Sequence, residues 1–270
     1  MRGLMVCSGC QQQTSVTAGT IFHGTRIPLP TWFRAIWWVM SQKNGASALG
    51  LKRVLGLGSY KTAWMMMHKL RRAMVCPDRE KLRGRIEVDE AFVGGLEEGV
   101  RGRQTEKKAL IAVAAEVRGS AIGRIRMRRI PDASARSLHG FLAEAVEPGS
   151  TLHTDDWLGY TGVEALGYQR EITTIGSDKK RAGSHFPRVH RATSLLKRWL
   201  LGTHQGAVCK EHLNSYLDEF VFRFNRRTSA SRGKLFRRLL ENAVRVDPVP
   251  YSEIALHLRP GRPPRSKHKM

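Results

Sequence analysis

Ile86-Glu87-Val88-Asp89-Glu90-Ala91-Phe92-Val93-Gly94-Gly95 is the stretch of sequence that decides the fold. Its β-branched and aromatic residues favour a strand, and the glycine pair ends that strand like a turn. Asp89 stands in the middle of the strand between apolar neighbours. A carboxylate buried in a sheet is costly unless a cation pairs with it. Two interpretations follow: an edge-strand acid with a lysine partner, or a metal-ligand carboxylate whose partners come from further along the chain.

The composition indicates a polyanionic partner. The 270 residues include 46 Lys and Arg against 23 Asp and Glu, which gives a formal net charge of +23. An excess this large favours a long phosphate backbone, and therefore DNA, as the partner. A ribosomal or membrane-surface protein is the alternative, but the apolar content and six Trp favour a folded enzyme or DNA binder. No apolar run approaches the roughly 18 residues of a membrane span, and the start lacks a secretory signal. We therefore expect a cytoplasmic protein without a membrane partner.

The chain opens with a Cys-x-x-Cys knuckle, Cys7-Ser8-Gly9-Cys10. Two such knuckles make a tetrahedral zinc site, but no second pair lies nearby. His23 is either a third ligand or simply polar surface. Cys7 and Cys10 are thus candidate zinc ligands in a partial zinc ribbon over residues 1–25, and Zn²⁺ is a doubtful cofactor. The four cysteines do not form a disulfide framework.

Residues 26–75 are predicted to form a small helical DNA-binding domain. A helix over 31–42 is followed by a helix, a Gly56-Leu57-Gly58 turn and a second helix capped by Ser59. This pattern is typical of a helix-turn-helix, although an ordinary helical hairpin would share it. We expect the exposed face of the second helix to carry Tyr60, Lys61, Thr62, His68, Lys69, Arg71 and Arg72. All of these except His68 are candidate DNA-binding residues.

After a linker over 76–84, the pattern predicts an α/β domain over 85–245. Strands over 86–95, 109–117 and 122–130 form an antiparallel meander, with a glycine-rich loop over 94–108. A helix over 133–146, capped by Asp132, leads to short strands over 151–154 and 168–174. A basic loop over 176–183 precedes helices over 187–201, 211–224 and 234–245. This order predicts a ribonuclease-H-like mixed sheet flanked by helices. Residues 246–270 form a basic tail that is predicted to be disordered from residue 259.

Polar groups gather at two places in this domain. The strand over 151–154 ends in Asp155 and Asp156, and ligands of α/β sheets lie beyond strand ends. Alternatively, one of the two acids caps the following segment, with Asp156 the better placed. Further on, His190 and Lys197 are seven residues apart on a helix. Seven residues make nearly two turns, so both project from one face.

Together these motifs resemble bacterial insertion-sequence transposases of the DDE class, which combine a zinc ribbon, a helix-turn-helix and an ISXO-two-like catalytic domain. The resemblance covers nearly all of the chain. It rests on Thr17-Ala18-Gly19-Thr20-Ile21-Phe22-His23, Tyr60-Lys61-Thr62-Ala63-Trp64, Glu87-Val88-Asp89-Glu90, Asp155-Asp156-Trp157-Leu158-Gly159-Tyr160, Leu196-Lys197-Arg198-Trp199-Leu200-Leu201-Gly202-Thr203-His204 and Phe220-Val221-Phe222-Arg223-Phe224-Asn225-Arg226-Arg227.

The resemblance implies roles for four residues. Asp89 and Asp155 match the first two metal ligands, His190 the third, and Lys197 the basic residue that would hold a DNA phosphate. The cofactor would be Mg²⁺ or Mn²⁺, whose paired ions can activate a hydroxyl and stabilise the leaving oxygen. His190 is a poor Mg²⁺ ligand, so it would bind the second ion weakly, prefer Mn²⁺, or contact the phosphate as an imidazolium.

The expected function is DNA cleavage and strand transfer at transposon ends. The partners would be the transposon ends and the target DNA, and joining two ends implies a homo-oligomer. Two alternatives remain open. One is a DNA-binding regulator that has lost catalysis, and the other is a stand-alone ribonuclease-H-like nuclease.

Overall fold

The structure, a computed structural model, describes residues 4–76, 78–95, 108–174, 185–206 and 208–256. Most of the glycine-rich loop predicted over 94–108, the whole basic loop over 176–183 and the tail over 259–270 lie outside these ranges. The first described element is a small antiparallel hairpin of β1 (Leu4–Val6) and β2 (Gln13–Ser15). The cysteine knuckle forms its turn.

The predicted helix-turn-helix region folds into three helices, α1 (Leu29–Ser41), α2 (Ala48–Val54) and α3 (Tyr60–Ala73). The Ser47 side chain caps α2 by accepting a hydrogen bond from the Gly50 N–H at 3.0 Å. Gly56 takes φ +64° in the turn after α2, a conformation that glycine adopts without steric cost. Ser59 is the N-cap residue of α3, as expected. Its side chain makes no capping hydrogen bond, however, so the expectation that it caps the helix through its side chain is wrong.

Five strands of the described chain form one mixed sheet, in the order β5-β4-β3-β6-β7. They are β3 (Arg85–Val93), β4 (Ala109–Arg118), β5 (Ala121–Ile130), β6 (Thr151–Thr154) and β7 (Gln169–Ile172). β3, β4 and β5 form the predicted antiparallel meander, whereas β6 and β7 run parallel to β3. The stretch that opens with Ile86 is therefore the central strand. This mixed sheet confirms the predicted α/β fold class.

Helices cover both faces of the sheet. On one face lies α4 (Ala135–Ala145), whose apolar side packs on Ile86, Val88 and Leu152. On the other lie α5 (Pro187–His204) and α6 (Leu213–Phe224), packed on Ile111, Val113 and Val93. The chain continues into α7 (Arg232–Arg245) and a short helix that the sequence did not predict, α8 (Tyr251–Leu256). None of the helices in the described ranges has the length and hydropathy that a membrane crossing requires.

The cap of α4 differs from the predicted one. Ser134, not Asp132, is the N-cap residue, and its hydroxyl accepts a hydrogen bond from the Ser137 N–H at 3.4 Å. Asp132 instead accepts from the Ser134 N–H and the Ser137 hydroxyl. Both residue types favour such positions, so the sequence alone did not distinguish them.

The helical region and the sheet domain are joined by a buried ion-pair network, the α3–α6 junction. The Arg71 Nε of α3 lies 2.9 Å from one oxygen of Glu219 on α6, and the Arg223 Nε lies 2.9 Å from the other. Arg71 is 2% exposed. The expectation that Arg71 lies on an exposed face of α3 is therefore wrong, because that side of the helix packs against α6. The same is true of His68, which is also buried.

Candidate active site and DNA-facing surface

The alternation of β3 separates its acidic side chains between the two faces of the sheet. Val93 packs under α5 and α6, whereas Ile86 and Val88 pack under α4. Because successive strand side chains point to opposite faces, Glu87 and Asp89 share the α5 side. The two odd-numbered acids of β3 thus face the start of α5.

Asp89 is a poorly compensated carboxylate. Its side chain is 25% exposed, and it accepts one backbone hydrogen bond, from the Glu90 N–H at 2.7 Å. Burial raises the pKa of Asp89 to about 6, the Glu90 N–H lowers it, and the charge of Asp155 raises it further. No Lys or Arg side chain of the described residues pairs with it. The lysine-paired interpretation of Asp89 is therefore not what the described chain shows.

Asp155 reaches the same place from β6. The parallel register pairs Glu87 with His153, and continuing it by two residues brings Asp155 level with Asp89. Its Oδ1 accepts a hydrogen bond from the Trp157 N–H at 3.1 Å, whereas Asp156 is exposed. The expectation that Asp156 is the better-placed cap is wrong, because the turn closes on Asp155.

Arg170 holds the turn that presents Asp155. From β7 its guanidinium donates to Thr154 Oγ1 and to the Asp155 carbonyl, each at 3.0 Å. The sequence analysis did not single out Arg170, and its position within a short strand gave no signal. It is a positioning residue for the loop after β6.

His190 lies in the first turn of α5, beside Asp89. Its Nε2 is 3.8 Å from Asp89 Oδ2, and its side chain is 42% exposed. Lys197 is exposed two turns further along the same helix. The structure thus brings together Asp89, Asp155 and His190. Within the described ranges, however, no group of three or more His, Cys, Asp or Glu side chains is placed closely enough to hold a metal ion by itself.

Glu87 fixes the start of α5 and was missed from the sequence. It is 1% exposed. One carboxylate oxygen accepts from the Arg188 and Val189 N–H groups at 2.8 and 3.1 Å, and the other from Arg188 Nη1 at 2.7 Å. A carboxylate at a helix N-terminus is stabilised by the helix dipole. The available signal was its position two residues before Asp89 in a strand, which places both acids on one face.

On the opposite face of β3, Glu90 accepts a hydrogen bond from the Tyr160 hydroxyl. Tyr160 is fully buried, and burial, followed by the charge of Glu90, raises its pKa well above the ordinary value. Tyr160 therefore stays protonated and donates. Glu90 is committed to the α4 side of the sheet and does not face His190.

The candidate DNA-binding residues of α3 differ in accessibility. Tyr60, Lys61 and Arg72 are exposed, and Thr62 is half-buried. Lys61 Nζ lies 4.0 Å from the centroid of the Tyr251 ring of α8. Lys69 is half-buried, donates to the Ile21 carbonyl at 3.0 Å, and has a pKa lowered by burial. The accessible cations of this helix are thus Lys61 and Arg72.

The cysteine knuckle presents two accessible thiols as candidate zinc ligands. Cys7 and Cys10 are both exposed free thiols, and the Cys10 N–H, followed by the Gly9 N–H, lowers the pKa of Cys7. A turn that stabilises a thiolate suits zinc. In the described chain no third ligand joins the pair, and His23 does not supply one.

The chain is similar to several known proteins. A protein in the transposable element ISH50 of Halobacterium salinarum is 26% identical over 257 residues, which cover 88% of this chain and 84% of that protein. Among solved structures, a pre-cleavage Mos1 transpososome matches with a TM-score of 0.30 and 12% identity, covering 79% of this chain and 78% of the other. A Mos1 mariner paired end complex with Mn gives a TM-score of 0.27 and 12% identity over 80% of both chains.

Both TM-scores are too low to support an argument about this chain. The match to a protein family is stronger evidence, because it covers the whole sheet domain from before β3 to the end of α6. Residues 81–225, more than half of the sequence, match the ISXO2-like transposase domain. The chain belongs to this family of transposases.

Proposed function

We propose that this transposase binds the ends of an insertion sequence and catalyses metal-dependent DNA cleavage and strand transfer at Asp89 and Asp155. The observation that carries the proposal is the state of Asp89. It is a largely buried carboxylate beside a second acid, with a pKa raised to about 6. Two adjacent acids without a cation in the described chain suit a divalent ion.

The donor set fits Mg²⁺ or Mn²⁺. Hard cations prefer oxygen ligands, and Mg²⁺ is commonly bound through one or two carboxylates together with water and substrate phosphates. Asp89 and Asp155 would hold the ion, and the DNA phosphate would complete its coordination. Two carboxylates can therefore suffice to bind the ion, although the described residues contain no group of three His, Cys, Asp or Glu side chains that could hold it alone. When bound, the ion would activate the attacking oxygen and stabilise the leaving one.

His190 and Lys197 would act on the DNA side of the site. His190 is half-exposed next to Asp89, where it would either ligate as neutral imidazole or donate to a phosphate as imidazolium. Lys197 is exposed further along α5 and would hold the DNA backbone. Glu87 keeps both in place, because it fixes the first turn of their helix.

The DNA-recognition element would be α3, through its accessible residues Tyr60 and Lys61 in the first turn and Arg72 in the last. This assignment completes the proposed division into a partial zinc ribbon (1–25), a helix-turn-helix (26–75), a linker (76–84), a catalytic domain (85–245) and a basic tail (246–270). The α3–α6 junction would hold the recognition helix in a fixed orientation relative to the sheet. Joining two ends would require a second copy of the chain.

The test is cleavage of a duplex that carries the DNA flanking the gene, in Mg²⁺ or in Mn²⁺. We expect nicking by the parent protein and loss of nicking in Asp89→Asn and in Asp155→Asn. Asp156→Asn is the matched control, because it removes an exposed neighbouring acid. Equal nicking by all four proteins would refute the assignment.

The same assay distinguishes the roles of His190. If it is a ligand, His190→Glu supplies a carboxylate oxygen and improves the use of Mg²⁺. If it acts as a cation towards phosphate, His190→Glu is damaging. A parent protein that binds the duplex but never nicks it would favour the regulator instead.

A further inference from the structure

A cavity of about 650 Å³ lies where the helical region meets the sheet domain. The loop after α1, the second half of α5, the end of α6 and the start of α7 line it. None of the candidate site residues Asp89, Asp155, His190 and Lys197 contributes to it. The cavity is therefore separate from the candidate active site, although both lie along α5.

The floor of the cavity is aromatic. The ring of Trp199 lies 5.8 Å from that of Phe220, and the ring of Phe220 lies 5.9 Å from that of Phe224. Gly45 makes this arrangement possible, because a Cβ there would lie 2.4 Å from Trp199 Nε1. The rings of both pairs are tilted against each other, by 46° and 38°, and such aromatic clusters provide contact surface for planar ligands.

The rim of the cavity is cationic, and no acidic side chain is among the described residues that line it. Arg223 is committed to Glu219 and to the carbonyls of Val39 and Gln42. In contrast, Lys43, Arg198 and Arg232 are exposed, and none has an ion-pair or hydrogen-bond partner in the described chain. Three available cations above an aromatic floor suit a ligand that is both planar and anionic.

We propose that this cavity receives one unpaired nucleotide of the DNA, with its base against Trp199 and Phe220 and its phosphate at Arg198 and its neighbours, since Arg227 already lies over the Phe224 ring. This inference rests on the proposed function, because it takes DNA as the partner. Base-paired DNA would contact only the cations, through its phosphates, since its bases cannot leave the helix to enter a pocket. The aromatic floor thus selects an extruded or single-stranded nucleotide.

The position of the cavity along α5 indicates which nucleotide is held. Its α5 lining begins at Leu195 and ends at Thr203, while His190 lies in the first turn of the helix. At 1.5 Å per residue, Arg198 and Thr203 lie about 12 and 20 Å from His190. At 3.4 Å per nucleotide, that corresponds to about four to six nucleotides from the scissile phosphate.

Gly202 offers a way to fill the cavity without removing any contact. It lines the cavity, lies in a helix, and a Cβ built on it meets nothing within 4 Å. The side chain of Gly202→Phe should therefore occupy the cavity. The substitution should leave α5 intact, because Phe has a higher helix propensity than Gly. Gly140→Phe is the matched control, since Gly140 lies in α4 with equally open space around it.

The experiment measures binding by full-length protein in EDTA, where no cleavage occurs. One probe is a blunt duplex, and the other is the same duplex with a single-stranded extension of about five nucleotides containing 2-aminopurine. We expect the parent to bind the extended probe about 5- to 150-fold more tightly, the range for one stacked base, and to quench 2-aminopurine. Gly202→Phe should abolish both effects, and Gly140→Phe should preserve them.

The rim is tested separately with Arg198→Ala and, as a charge-matched control on the far face of the sheet, Arg136→Ala. Only Arg198→Ala should reduce the preference for the extended probe. Blunt-duplex binding without any preference, or a preference that survives in Gly202→Phe, would overturn the cavity proposal and leave the proposed function standing. Absence of binding to both probes would overturn both.

Discussion

The α3–α6 junction and the site around Asp89 on the central strand both bury carboxylates, but they compensate them differently. At the junction, burial opposes the ionisation of Glu219, yet the charges of Arg71 and Arg223 hold its pKa below the usual range. At the Asp89 site, burial and Asp155 raise the pKa of Asp89 to about 6. The junction is complete as folded, whereas the Asp89 site would gain from an added cation. The difference separates a structural charge cluster from a candidate catalytic one.

The largest expected effect comes from breaking the junction. Arg71→Met should lower the free energy of unfolding by about 3–5 kcal/mol, because it leaves part of the charge of a buried carboxylate uncompensated. Arg72→Met, one residue along and exposed, should change it by less than about 0.5 kcal/mol. Urea unfolding of both variants measures this. Similar values for the two would show that the network contributes little.

At the Asp89 site, removing the charge should stabilise the protein instead. The folded pKa of Asp89, about 6, exceeds its ordinary value of 3.8, so the folded state binds the proton more tightly than the unfolded state. The free energy of unfolding therefore decreases as pH rises from about 4 to about 6. At pH 7.5 without metal, Asp89→Asn should stabilise the protein by about 2–3 kcal/mol. Unfolding curves at pH 4 and pH 7.5 check this, and the gain should vanish at pH 4.

Glu87 sharpens the comparison, because it lies on the same strand and face. Its partners already compensate its charge, so Glu87→Gln should destabilise the protein by about 2 kcal/mol through the lost charge-assisted bonds. The equivalent acid-to-amide change two residues away at Asp89 should stabilise it. Urea unfolding at pH 7.5 compares the two variants, and the same sign for both would contradict the distinction.

The smallest effect is expected at α3, where one lysine is bonded within the fold and another is accessible to DNA. Lys61→Met should weaken binding to duplex DNA several-fold. The slope of the logarithm of the binding constant against the logarithm of the salt concentration should become shallower by about 1, as loss of one phosphate contact does. Lys69→Met should leave the slope unchanged, because its ammonium donates to the Ile21 carbonyl. Fluorescence anisotropy over a range of salt concentrations measures both. An equal change of slope in the two variants would mean that accessibility does not select the contacts.

The sequence predicted the sheet domain well because its signals are local. The alternation of β3 and the apolar run of β4 determine strands regardless of their neighbours. That Asp89, Asp155 and His190 would lie together followed only from the resemblance. The seven-residue spacing placed His190 and Lys197 on one helix, as observed.

The sequence could not show which charged side chains would be buried and paired within the fold. Arg71 and Arg72 are identical neighbours in a basic helix, and only the position of α6 decides that Arg71 is buried. Likewise, Glu87 and Asp89 differ in role because the first turn of α5 meets one of them with two N–H groups. These outcomes depend on contacts between residues about 100 to 150 positions apart.

The central claim is that the site around Asp89 lacks a cation that a divalent metal supplies. The most direct measurement is the free energy of unfolding at pH 7.5 with and without about 10 mM Mn²⁺, for the parent and for Asp89→Asn. A bound ion stabilises the folded state by mass action. Mn²⁺ should therefore raise the free energy of unfolding of the parent by about 1–3 kcal/mol, towards the value for Asp89→Asn. It should leave the free energy of unfolding of Asp89→Asn unchanged. Equal stabilisation of both proteins by Mn²⁺, or of neither, would contradict the claim.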